Sequence, residues 1–141
     1  MGAWIFKKVS FIKTENLMIN LKTKISMRKG KFLDKLIEEK IQSLKGKVIF
    51  KGLGKMRPVF LEIYMDAMNR RDGTRRKQKF FAGLELLKKV SKEDMTDSPR
   101  EPNGEFAFEF KGMTFEGILV GVHIREIIER KDKKLYLIST F

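Results

Sequence analysis

Residues 31–51 read KFLDKLIEEKIQSLKGKVIFK, and within this stretch the hydrophobic period changes from that of a helix to that of a strand. Apolar residues recur every three or four positions up to Leu44, which predicts a helix over 31–45 that stops at Gly46. The following run, 47–51, has the β-branched and aromatic content of a strand. The predicted apolar stripe of the helix consists of Phe32, Leu33, Leu36, Ile37, Ile41 and Leu44.

Upstream of this helix, residues 19–27 alternate between apolar and polar side chains, which predicts a half-buried strand with a basic outer face. Residues 3–12 are consistent with another strand or a short helix. Downstream, residues 58–69 fit both periods, and the pair Asp72-Gly73 favours a hairpin with a strand on each side. A second helix is predicted over 83–93.

The C-terminal third is the most β-rich part of the chain. Phenylalanines alternate from Phe106 to Phe110 and lead to a predicted turn at Lys111-Gly112. A long strand is then expected over 114–128, a charged turn over 130–134 and a closing strand over 135–141. Together the patterns predict a single α+β domain, residues 1–141, with a mainly antiparallel sheet and two helices.

Composition excludes several classes of site. The chain has 141 residues with no Cys and a single His, so disulfides, thiolate nucleophiles and multi-histidine metal clusters are excluded. Glu109-Phe110-Lys111 matches half of a Mg²⁺-dependent nuclease motif, with Asp97 upstream as its partner, but this tripeptide is frequent by chance, so no cofactor or metal is expected. Twelve Phe and an apolar fraction of 42% are typical of a folded domain rather than a disordered basic tail. No apolar run reaches the length that a membrane span requires, so the expected location is the cytoplasm.

Positive charge is concentrated in the first two thirds of the chain. Up to Val90 there are 23 Lys and Arg against 8 Asp and Glu, whereas from Ser91 onward there are 8 against 10. A net charge of +13 attracts polyanions at ordinary ionic strength. The expected partner is therefore RNA or DNA, and no membrane partner is expected.

Two runs carry much of this charge, RKGK at 28–31 and the cluster between Arg70 and Lys79. Arginine guanidinium groups bind phosphate in a bidentate manner, so the second run favours phosphate contact. For isolated lysines, an ordinary solvated surface is the favoured interpretation. The predicted nucleic-acid-binding residues are Lys22, Lys24, Arg28, Lys29, Lys31, Lys55, Arg57, Arg70, Arg71, Arg75, Arg76, Lys77 and Lys79.

A second candidate site lies on the predicted strand 114–128. Gly117 and Gly121 alternate onto the face that carries His123 and Arg125, and such glycines leave a shallow slot. If the hairpin closes at Lys131-Asp132, position 123 pairs with Thr140.

This arrangement would place a hydroxyl beside the imidazole of His123. Imidazole transfers protons near neutral pH and guanidinium stabilises a phosphorane, so His123, Arg125 and Thr140 are candidate catalytic residues of a metal-independent ribonuclease, with Ser139 as the alternative to Thr140. The simpler interpretation is that the glycines accommodate a packing aromatic ring such as Phe108.

The sequence therefore favours a small basic protein that contacts nucleic-acid phosphates through its Arg and Lys clusters. One alternative is the toxin-like ribonuclease that uses His123. The other is a phage or mobile-element inhibitor or adaptor that binds a larger protein of nucleic-acid metabolism. Small size, high charge and the lack of catalytic motifs are compatible with this last function.

Overall fold

The computed structural model describes residues 18–52, 56–70, 73–91, 107–127 and 130–141. Within these ranges the chain forms a six-stranded sheet and four helices, where the sequence predicted two. In chain order the elements are β1 (Ile19–Leu21), α1 (Gly30–Ser43), β2 (Lys47–Phe50), β3 (Arg57–Phe60), α2 (Tyr64–Asn69), α3 (Thr74–Lys77), α4 (Phe80–Lys89), β4 (Ala107–Thr114), β5 (Leu119–Glu126) and β6 (Leu135–Thr140).

The α+β class is confirmed, but the sheet is mixed rather than mainly antiparallel. Its strand order is β1-β4-β5-β6-β3-β2. The pairs β4–β5, β5–β6 and β2–β3 are antiparallel, whereas β1 pairs parallel with β4 and β3 pairs parallel with β6. The two parallel pairs join strands that are distant in the sequence, so local hydrophobic patterns carry no information about their direction.

Helix α4 packs against the core face of the sheet. Val122 of β5 and Leu137 of β6 are fully buried in the same cluster as Leu86 and Leu87 of the helix. A Cβ atom at Gly83 would lie 2.7 Å from Cγ2 of Thr140, so glycine is what lets the helix approach the strands this closely.

The helix predicted over 31–45 is confirmed as α1, with one exception in its apolar stripe. Leu33 and Ile37 are buried, whereas the side chain of Phe32 is 55% exposed. The helix ends where predicted, because Lys45 and Gly46 both adopt positive φ angles of 57° and 78°. The strand predicted over 47–51 is confirmed as β2.

The strand predicted over 19–27 pairs with the sheet only at β1. Beyond it, the carboxylate of Glu85 on α4 accepts hydrogen bonds from the backbone N–H groups of Lys22, at 2.9 Å, and Thr23, at 2.7 Å. These donors are therefore satisfied by a helix side chain instead of a neighbouring strand. Burial alone would raise the pKa of Glu85, but hydrogen bonds from Lys89, Lys22 and Thr23 lower it to about 2.

The hairpin predicted at Asp72-Gly73 is wrong. Asp72 lies outside the described residues, and Gly73 directly precedes α3 while α2 ends at Asn69. The deciding residues are Tyr64 and Met68, which are four positions apart, lie on one helix face and are both fully buried. Segment 58–69 thus contains the end of a strand followed by a helix.

Two boundaries in the C-terminal third also differ from those predicted. Lys111 and Gly112 lie inside β4, and the turn follows at 115–117, where Gly117 has a φ of 83°. Strand β5 is consequently shorter than the predicted 114–128.

The predicted helix over 83–93 begins earlier, as α4, and the closing strand is confirmed as β6.

The element predicted over 3–12 lies outside the described residues. Among the helices of the described ranges, none has both the length and the apolar character that crossing a bilayer requires.

Candidate nucleic-acid interface

The two basic runs singled out in the sequence lie next to each other in the structure. The segment that leads to α1 lies beside the end of α3. There the backbone N–H of Ser26 donates to the carbonyl of Gln78 at 2.8 Å. The side-chain amide of Gln78 in turn donates to the carbonyl of Arg28 at 3.0 Å. Gln78 is buried, and its two hydrogen bonds fix the two runs relative to each other.

A buried chain of hydrogen bonds attaches α3 to the sheet. The hydroxyl of Thr140 donates to the carbonyl of Arg76 at 2.5 Å. Because that bond uses the only hydroxyl hydrogen of Thr140, the hydroxyl of Tyr64, 2.7 Å away, is the donor to Thr140. Burial raises the pKa of Tyr64, which keeps it protonated in this role.

We define the basic surface as the residues of the two runs that the structure describes. Arg28, Lys29, Lys31, Arg70 and Arg75 are exposed, and three further cations are half-buried. The complete set is Arg28, Lys29, Lys31, Arg70, Arg75, Arg76, Lys77 and Lys79.

Electrostatic interactions within the basic surface are mainly repulsive. Partial burial and the neighbouring charges of Arg75 and Arg76 lower the pKa of Lys79. Lys77 is the member with an acidic partner, since its Nζ lies 2.9 Å from a carboxylate oxygen of Asp34. Helix α1 carries no acidic residue in its first turn, so the positive end of its dipole adds to the same field.

The other predicted nucleic-acid-binding residues are placed differently. Lys22 is exposed beside β1, and Nζ of Lys24 lies 5.6 Å from the ring centroid of Phe115. The guanidinium of Arg57 donates to the carbonyl of Lys133 at 2.7 Å, next to the loop that precedes β6. Lys55 and Arg71 lie outside the described residues.

The predicted pairing of His123 with Thr140 is wrong. Thr140 pairs with Val122, and His123 pairs with Ser139. Thr140 and its partner Val122 are fully buried on the core face of the sheet. His123 follows Val122 in β5, and successive residues of a strand point to opposite faces, so His123 lies on the other face. A bulge between His123 and Ile124 then brings Arg125 opposite Tyr136. The hydroxyl of Thr140 is therefore not beside the imidazole, and the residue opposite His123 is the alternative, Ser139.

The slot predicted at Gly121 is filled by an aromatic ring. A Cβ atom at this position would overlap Cε2 and Cζ of Phe141. The two residues are also joined through their backbones, since Gly121 N–H donates to the Phe141 carbonyl at 2.6 Å and Phe141 N–H donates back at 2.9 Å. The simpler interpretation of this glycine is thus confirmed, with Phe141 in place of Phe108.

Sequence reasoning did not find two residues that shape the basic surface, Gln78 and Phe32. Gln78 lies between the charged residues Lys77 and Lys79, and nothing in its type indicates that it is buried. The exposure of Phe32 could have been found from helix geometry, which turns by about 100° per residue. Around the helix axis, Phe32 lies about 100° from Leu33 and about 140° from Ile37, the two residues that are buried. It is therefore at the margin of the stripe.

Comparison with known proteins finds no matching family model, no similar curated protein and no similar solved structure. Within the described ranges, no three His, Asp or Glu side chains are grouped in a way that could hold a metal ion. Functional inference therefore rests on the geometry and charge of the residues themselves.

Proposed function

We propose that this protein binds RNA or DNA through the phosphate groups, with the basic surface as its binding site. One observation supports this most strongly: two basic runs that are about forty residues apart in the sequence are held together by hydrogen bonds to the buried residue Gln78. Folding thus keeps like charges close together, at an electrostatic cost that a bound polyanion would offset.

The side chains suit phosphate contact rather than base readout. Arginine offers a planar fork of donors for two phosphate oxygens, and lysine supplies a point charge. Four of the eight cations are arginines, and only Lys77 is matched with a carboxylate in the described part of the chain. We therefore expect tight but largely sequence-independent binding, driven by release of counterions from the nucleic acid.

Fluorescence anisotropy with a labelled oligonucleotide, repeated over a range of salt concentrations, tests this function. If six or more phosphates are contacted, the affinity falls at least about a thousandfold between roughly 50 and 200 mM salt. The double variant R70A/R75A removes two exposed arginines and lowers the slope of log affinity against log salt by about two. The matched control K88A/K111A also removes two exposed positive charges, but from the end of α4 and from β4, and leaves the slope near that of the wild type.

Two results would overturn the proposal. The first is an absence of binding to any single-stranded or double-stranded RNA or DNA at low salt. The second is an equal loss of affinity in the two double variants, which would assign binding to net charge rather than to the basic surface.

The two alternative functions stay predictions, and the same samples test them. Incubation of the protein with RNA in EDTA tests for a metal-independent ribonuclease, and H123A is the variant expected to abolish its cleavage. Co-purification of a protein partner that survives nuclease treatment tests for an inhibitor or adaptor.

A further inference from the structure

An exposed aromatic ring lies beside the cations of the basic surface. Phe32, in the first turn of α1, is 55% exposed. The guanidinium carbon of Arg28 lies over this ring, 4.9 Å from its centroid. The guanidinium covers part of the ring, and more than half of the residue remains accessible to solvent.

Arg28 contacts both this ring and the end of α3. The carbonyl of Arg28 accepts the hydrogen bond from Gln78, while its guanidinium lies on Phe32. The same residue thus connects the ring to the end of α3, where Lys77 and Lys79 flank Gln78. Met27, directly before Arg28, is a second exposed apolar residue in this segment, with 78% of its surface accessible.

Exposure alone does not distinguish Phe32, since Phe115 is more exposed. What distinguishes Phe32 is its place beside the cations of the basic surface. The exposed part of its ring is an apolar surface next to those cations. Stacking of bases on such rings is how proteins hold single strands without reading their sequence.

We propose that the basic surface selects single-stranded over double-stranded nucleic acid, with one base stacked on the exposed part of the Phe32 ring and flanking phosphates held by Arg28 and its neighbours. This inference rests on the proposed function. In a duplex the bases are already stacked and paired, so the ring has no base face to contact. Phosphates are present in both forms, so the cations alone do not discriminate between them.

Competition between a single-stranded oligonucleotide and a duplex of the same length, at one fixed salt concentration, tests this proposal. We expect the wild-type protein to favour the single strand. F32A then weakens single-strand binding by about five- to a hundredfold and leaves duplex binding nearly unchanged. F32W and F32Y restore a stacking surface and retain the preference. Thermal denaturation verifies that each variant is folded, which the exposure of Phe32 leads us to expect.

Phe115 provides a matched control. It is 69% exposed and also has a cation over its ring, Lys24, but it lies in the turn between β4 and β5. F115A should therefore leave both affinities unchanged. A comparable loss in F32A and F115A would indicate a general effect of exposed aromatic surface and would overturn the assignment to Phe32.

The possible outcomes separate this inference from the proposed function. Equal binding of both forms, with F32A at wild-type affinity, overturns the stacking inference and leaves phosphate binding intact. Absence of binding to either form overturns both. If F32A instead keeps its single-strand affinity but loses a nuclease-resistant protein partner, the ring is a protein contact and the stacking inference is wrong.

Discussion

The basic surface and the His123 face of β5 were both predicted as sites from polar residues in the sequence. In the folded protein the first is accessible, whereas the gap predicted in the second is filled. In the first, Arg28 and Gln78 come together and the long cationic side chains remain largely exposed. In the second, Phe141 fills the space that Gly121 leaves, and Thr140 faces the core. A charge cluster on helix surfaces stays accessible because burying it is costly, whereas a gap beside a glycine is readily filled by an apolar ring.

The difference also shows what each kind of residue indicates. Repeated Arg and Lys indicate a surface, because an unpaired buried charge is rarely tolerated. A glycine within a strand indicates only that something approaches closely, and the approaching group is as often part of the same chain as a ligand. The following predictions test the two regions, beginning with the largest expected effect.

Substitution of Thr140 tests the buried link between the sheet and the basic surface. T140V removes the donor to the Arg76 carbonyl and the acceptor for the Tyr64 hydroxyl, so two buried polar groups lose their partner. We expect the free energy of unfolding to fall by about 2–4 kcal/mol. Chemical denaturation monitored by circular dichroism measures this change.

T140S is the matched control, because it keeps the hydroxyl and removes only a methyl group. Its expected cost is about 1 kcal/mol. If T140V were as stable as T140S, the hydrogen bonds of Thr140 would not be what holds α3 against the sheet.

Substitution of Gly121 tests whether the face of β5 is closed. G121A places a methyl group against the ring of Phe141 and should lower the free energy of unfolding by about 1–3 kcal/mol. Removing the ring in G121A/F141A should make the added methyl group less costly, which a double-mutant cycle measures. Affinity for nucleic acid should be unchanged, in contrast to R70A/R75A. Full stability of G121A would show that the ring moves aside easily and that the slot is accessible.

A pH-dependent effect is expected from the anchor at Glu85, which holds the segment leading from β1 towards Arg28. Its pKa of about 2 lies below the ordinary value of 4.5, so its stabilising contribution is complete above pH 4.5 and is lost as the pH falls towards 2. E85Q should therefore be less stable than the wild type at pH 7, and the difference should shrink between pH 4.5 and 2. Melting temperatures across this range measure it, and a difference independent of pH would contradict the assigned hydrogen bonds.

Local patterns predicted the elements whose hydrophobic period is unambiguous. Helix α1 and strands β2 and β6 are confirmed because their apolar residues fit one period and a turn residue or charged loop marks an end. Segment 58–69 fits both periods, and its helix α2 was assigned wrongly because Tyr64 and Met68 find a common core only in the folded chain. The strand predicted over 19–27 is longer than β1. The backbone N–H groups that follow β1 donate to Glu85, more than sixty residues away, instead of to a neighbouring strand.

The amino-acid sequence alone determined the α+β class, the concentration of positive charge and the identity of the two basic runs, because these depend on composition and on short-range periodicity. Tertiary structure alone decided that the sheet is mixed, that the two runs lie together, that Phe32 is exposed beside Arg28 and that Phe141 covers Gly121. Each of these four features is a contact or an exposure set by how distant parts of the chain pack. Such long-range packing depends on the whole core, and no local pattern specifies it.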